Sequence, residues 1–318
     1  MADIYTYDTQ GNRKVDPEKI LTGAMLVTIK QSGYQVSRQL NKDERELALQ
    51  ISAQQTWKRG GGNVVKSGKN FIDPVYYQPG SDYQAQTHRM LKDYTGGILW
   101  SRGTHIISTR MLQTGGGVYT DFNTWKIDRE TQLQQLAWDF KQVYPQAKAE
   151  APAALGNLYN EDDYLTDDEA HQRISMKIHL EPIPKGEYEH LGLDPTFNKQ
   201  LKKENTDRLV QASKHAVSSL ISNLSSAVKG MQETLADGKR IHNSSIDGLH
   251  NLALTTPEMD FTDDQTLKDL SERIVAELTL YGVRDKEDFK SEEVASQTAE
   301  KAKGIANELD AYADVLGT

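Results

Sequence analysis

Val217, Ile221, Leu224, Val228, Met231 and Leu235 fall at steps of 4, 3, 4, 3 and 4 within a run, Pro195 to about Gly238, that holds no proline after its first residue. That is the spacing of a coiled-coil seam. It predicts a helix of some forty residues with an apolar stripe along one side, and such a stripe has to be covered by another element. The run is under three heptads, so two covers stay open. A second copy of the chain would make these six the oligomerisation residues; a helix of the same chain would make an intramolecular hairpin. Further helical patterns over about 263–281 and 285–315 make the last third all-helical.

The earlier part reads differently. Ala24 to Ile29 is rich in apolar and β-branched residues and predicts a strand continuing through Tyr34 and Val36, with a bend at Gly33. Helix is expected over 42–57 and 82–94, and two short strands over 98–100 and 105–112 around Gly103. A long helix over 123–144 carries Leu133, Leu136, Trp138, Phe140 and Val143 as a face for packing on a sheet, with Pro145 and Pro152 breaking or kinking it. Thr166 and Glu169 have capping-box spacing at a helix start. Ile174, Met176, Ile178 and Leu180 then alternate with Ser175, Lys177, His179 and Glu181, which marks a strand with one buried face. Pro182 and Pro184 close it. The fold class expected is therefore α+β, a small N-terminal antiparallel sheet with packed helices followed by an all-helical, partly coiled-coil-like region. The boundary falls near residue 190, giving a basic α+β region at 1–190 and an acidic helical region at 191–318.

Charge supports that division. Residues 1–110 hold 15 Lys+Arg against 10 Asp+Glu, a net +5, while residues 111–318 hold 22 against 36, a net −14. The chain has no cysteine, which excludes disulfides, thiolate catalysis and cysteine-ligated metals and suits a reducing cytoplasm. No window approaches the ~20 consecutive apolar residues of a membrane helix. A partner membrane is accordingly not expected.

Residues 57–70, WKRGGGNVVKSGKN, suggest a phosphate-binding loop, and the letters decide against it. If Gly68 and Lys69 were the Gly-Lys pair, the first glycine would fall at Asn63 and the hydroxyl residue at Asn70. In the register that uses Lys66 and Ser67, Val65 stands where glycine is needed. The acidic patch Asn160 to Asp163 fails as the start of a calcium loop, with Leu165 at the glycine position and His171 at the bidentate glutamate. His179, Glu181, Glu187 and His190 lack a helical zinc-binding pair, and no nucleophile elbow is present. The expectation leans away from an enzyme, with no catalytic residue, metal or cofactor assigned.

Nucleic-acid binding fits the basic segment better. Between Gln54 and Lys92 the cations Lys58, Arg59, Lys66, Lys69, Arg89 and Lys92 meet only Asp73 and Asp82, and Trp57, Phe71, Tyr76, Tyr77 and Tyr83 are interleaved with them. Cations neutralise phosphates and aromatic faces stack on bases, which is single-strand chemistry. Trp100 and Arg102 extend the candidate set.

Three stretches, ILWSRG, ALGNLYNEDDYLTDDE and MKIHLEPIP, resemble a family of unknown function found in bacteriophages and other mobile elements. The matching positions are Leu99-Trp100, Leu155 to Tyr159 with Asp163-Tyr164, and Pro182 to Pro184, within residues 90–190. Ile98 replaces a leucine of the pattern, no proline precedes Trp100, and Leu165 replaces a proline. The resemblance implies a phage-type product of the host cytoplasm, in a family often encoded near MoxR-type AAA ATPases and von Willebrand A-domain proteins; it supplies no catalytic residues. Two functional readings follow. The first is an oligomer that binds nucleic acid, single-stranded by its aromatic content, through the basic segment. The second is a protein adaptor or scaffold for an AAA ATPase or host factor, with no nucleic-acid contact.

Overall fold

The computed structural model describes residues 5–7, 13–15, 17–34, 36–39, 43–45, 69–185, 192, 194–280 and 285–315. In chain order its elements begin with strands β1 (Tyr5–Tyr7) and β2 (Arg13–Val15), helix α1 (Pro17–Gly23), and strands β3 (Ala24–Ser32), β4 (Ser37–Arg38) and β5 (Lys69–Asn70). Helix α2 (Pro74–Thr95), strands β6 (Leu99–Ser101) and β7 (Thr104–Ser108), and helices α3 (Thr109–Thr114) and α4 (Phe122–Leu155) follow. Helix α5 (Asp167–Arg173) and strand β8 (Ser175–Pro182) precede the C-terminal helices α6 (Pro195–Ala236), α7 (Asn243–Met259), α8 (Gln265–Arg273) and α9 (Glu292–Val315). One four-stranded sheet has the order β6-β7-β3-β8, and β3 and β6 both pair antiparallel with β7. The α+β class with a small antiparallel sheet and a helical C-terminal region is as the sequence predicts. Among the described residues no helix is long and apolar enough to cross a membrane.

The chain divides into two compact units, and neither is a continuous half. One comprises 1–28, 91–125 and 179–318; the other comprises 29–90 and 126–178. The division differs from a single boundary at residue 190 because the C-terminal helices pack with α1, α3 and strands β6 and β7. Gly96 shows how closely. It has φ +59°, and a Cβ there would lie 2.8 Å from Leu220 Cδ2 of α6.

In this first unit the seam of α6 is covered by α9. Val217, Ile221, Leu224, Val228, Met231 and Leu235 are all buried, none more than 6% exposed. The facing stripe of α9 is Ala302, Ile305, Ala306 and Leu309, whose small members let the two helices approach. Ser225 and Lys229 on α6 both bond Asp310 on α9, at 2.8 and 2.9 Å to Oδ1. This corrects the oligomerisation assignment: a stripe already covered within the chain is not a surface for a second copy.

The second unit is built on α4. Leu133, Ala137, Phe140, Tyr144, Ala147, Ala151 and Leu155 recur along one side of this helix and form a core with Phe71, Ile72, Ile174 and Met176. Helix α4 runs on through Pro145 and Pro152 rather than ending there. Both prolines are exposed, and the buried alanines and Leu155 beyond them give the last turns a packed face that offsets the lost backbone bonds. Thr166 and Glu169 form both halves of the capping box expected at α5.

Candidate functional site

The structure describes only some of the residues singled out for nucleic-acid binding. Trp57, Lys58, Arg59 and Lys66 lie outside the described residues, as do most of the 42–57 helix expectation, Glu187 and His190. Lys69 and Phe71 are buried, at 0% and 1% exposure. Tyr76 and Tyr77 are partly buried against the second unit's core, the former donating to Glu150 at 2.9 Å. Arg89 and Arg102 are exposed. Trp100 on β6 lies beneath the guanidinium of Arg208 on α6, 5.5 Å from its ring centroid, a pairing that the sequence did not suggest.

Lys69 sits in a buried ion network. Its ammonium donates to Glu44 Oε1 at 3.0 Å and to the Leu158 carbonyl at 2.8 Å, and it also pairs with Asp163. Arg38 bonds the same two acids, through Nε to Asp163 at 2.5 Å and through Nη1 to Glu44 at 2.6 Å. The carboxylates of Glu44 and then Asp163 hold the Arg38 guanidinium above its usual range. Two cations and two anions close on one another, and β4 pairs with β5 at Arg38 and Lys69. A charge so neutralised and desolvated offers nothing to a phosphate, so Lys69 leaves the candidate set, and Phe71 leaves it as a core residue.

A different site emerges on the second unit. A groove of about 430 Å³ opens between α4 on one side and α5 with the start of β8 on the other. Leu133, Ala137, Ile174 and Met176 give it an apolar floor, and Glu130, Gln134, His171 and Lys177 a polar rim. Trp138 stands in its wall 48% exposed. Its ring is braced: His171 meets it edge-on with centroids 5.7 Å apart, and the Lys141 ammonium lies 5.2 Å from its centre. Lys141 is fixed in turn by Asp168 at 2.5 Å, and this bond holds the Asp168 carboxyl below its usual range.

Across the groove, Glu130 Oε1 accepts the backbone N–H of Ile178 at 2.7 Å. Lys126 and Lys177 stand 3.4 and 3.6 Å from the same carboxylate. Trp138 departs from the expectation that placed it with Leu133 and Phe140 on a sheet-packing face. At 100° per residue it projects about 100° away from Ala137, off the stripe of Leu133, Ala137, Phe140 and Tyr144. That angle, worked out on the full stripe, was the available signal. Comparison with protein-family models, curated proteins and solved structures finds no match.

Proposed function

We propose that this chain is an adaptor that docks another protein in the groove between α4, α5 and β8. The observation that carries the reading is Trp138, an exposed indole braced by His171 and Lys141 above an apolar floor. Tryptophan is enriched among the few residues that dominate binding energy, and a ring already held in place loses little freedom when a partner covers it. The resemblance to the mobile-element family supplies an AAA ATPase or a host protein as candidate partners. Nucleic-acid binding through Trp57, Lys58, Arg59 and Lys66 rests on sequence pattern alone.

A photocrosslinking amino acid placed at Gln134, with a control at Glu300, tests the docking reading in the expressing cell. A protein adduct from position 134 that Trp138→Ala abolishes, with the melting temperature kept, supports it. No adduct from position 134, together with a salt-sensitive shift of single-stranded DNA that is lost on replacing Lys58, Arg59 and Lys66 by alanine, overturns it in favour of nucleic-acid binding.

A further inference from the structure

Among the described residues strand β8 is outermost in its sheet, so the backbone groups that face away from β3 have no described strand beside them. The Ile178 N–H is one of these, since it is taken by a side chain of α4 instead of a neighbouring strand. Glu130 Oε1, 2.7 Å away, stands where the carbonyl of an added strand would accept that proton. The carboxylate is largely buried, its side chain 13% exposed, and lies between the ammonium groups of Lys126 and Lys177.

We propose that the groove binds an extended acidic peptide segment, which pairs with β8 at Ser175–Ile178 and takes over both functions of Glu130. This rests on the docking reading above and gives the partner's chemistry. A carbonyl of the segment accepts the Ile178 N–H. A carboxylate of the segment restores the charge balance of Lys126 and Lys177 once Glu130 has turned away. An apolar side chain on the segment's inner face reaches Trp138, since alternate residues of a strand share a face. Without a partner, Glu130 keeps the edge closed to unwanted pairing, as edge strands require.

The test uses the full chain and a fluorescein-labelled hexapeptide of alternating valine and threonine with one central glutamate. Two control peptides carry glutamine for the glutamate or methyl groups on alternate backbone nitrogens. Binding of the first peptide is expected to weaken about tenfold with glutamine and to vanish with N-methylation. It is expected to tighten about tenfold in Glu130→Ala, each tenfold step being ~1.4 kcal/mol, and to be lost in Trp138→Ala. Thermal melts of both variants separate these effects from misfolding. Binding that N-methylation leaves unchanged overturns strand addition but not docking. No binding by any peptide, with the Gln134 adduct intact, overturns the acidic-strand proposal alone. If Glu130→Ala instead forms a concentration-dependent dimer by light scattering that the peptide does not disperse, the occupant is a second copy and the proposal falls.

Discussion

Replacing Lys69 by alanine separates the structural reading of the basic segment from the functional one. The side chain is fully buried and makes three polar contacts, to Glu44, Asp163 and the Leu158 carbonyl. Its removal deletes three buried methylenes, worth ~0.8 kcal/mol each. It also leaves the carbonyl without that donor, a loss of about 1–3 kcal/mol, and two acids against one guanidinium. These terms overlap, and Arg38 still bonds both carboxylates. The measured cost of breaking a buried ion pair, ~3–5 kcal/mol, therefore bounds the sum, and we expect about 4 kcal/mol.

The unit concerned, 29–90 with 126–178, is about 115 residues long. At that size a loss of 4 kcal/mol lowers its melting temperature by roughly 15 °C. Differential scanning calorimetry and urea titration read this directly, with a lower midpoint and an unchanged m-value. Lys69→Met combined with Asp163→Asn removes one charge of each sign, and it should recover about half of the loss; the excess over additivity measures the coupling. A Lys69→Ala protein that melts within about 2 °C of the parent yet loses affinity for single-stranded DNA would show that the ammonium reaches solvent, and the network argument would be wrong.

Three other substitutions or titrations bear on the fold. Leu224→Ala, at a fully buried seam position, should cost about 2–5 kcal/mol with the molar mass unchanged by light scattering; dissociation of an oligomer into equally stable monomers would contradict the intramolecular seam. Gly80→Ala should destabilise by about 1–3 kcal/mol although alanine favours helices, because its Cβ would fall 1.7 Å from the Tyr34 hydroxyl; a higher melting temperature would refute that contact. Burial, and then Asp139, push the Tyr34 hydroxyl up to about 12. Its raised value means that the contribution is fully present below about 10, the unfolded value, and is lost as pH rises through the folded one. Near-ultraviolet titration should therefore show a tyrosine ionising late and together with alkaline unfolding, and ionisation of every tyrosine near 10 in folded protein would refute it.

Elements whose signal is local were legible. The capping box at Thr166, the alternation through Ile174, Met176 and Ile178, and the helical run of α6 each depend on neighbours a few residues away. What the sequence could not show were partners brought in from afar. Helix α9 covers the seam of α6 from about eighty residues downstream, and Glu44 and Asp163 reach Lys69 from opposite directions along the chain. The same distance hides the units: 91–125 joins the C-terminal helices while 126–178 does not, although α4 is continuous across the junction.

Lys69 and Trp138 were misread for opposite versions of one reason. A lysine among glycines and cations reads as solvated, and a tryptophan in an apolar helix reads as core, because residue type is all that a linear pattern ranks. Position on the element decides otherwise. Lys69 is on β5 beside Arg38, where two carboxylates make burial of a cation affordable. Trp138 is about a quarter-turn from the stripe that α4 buries, and at that angle even the most apolar ring stays in water unless something else covers it. His171 and Lys141 brace it without covering it, and that is why an apolar ring is left exposed at the wall of the groove.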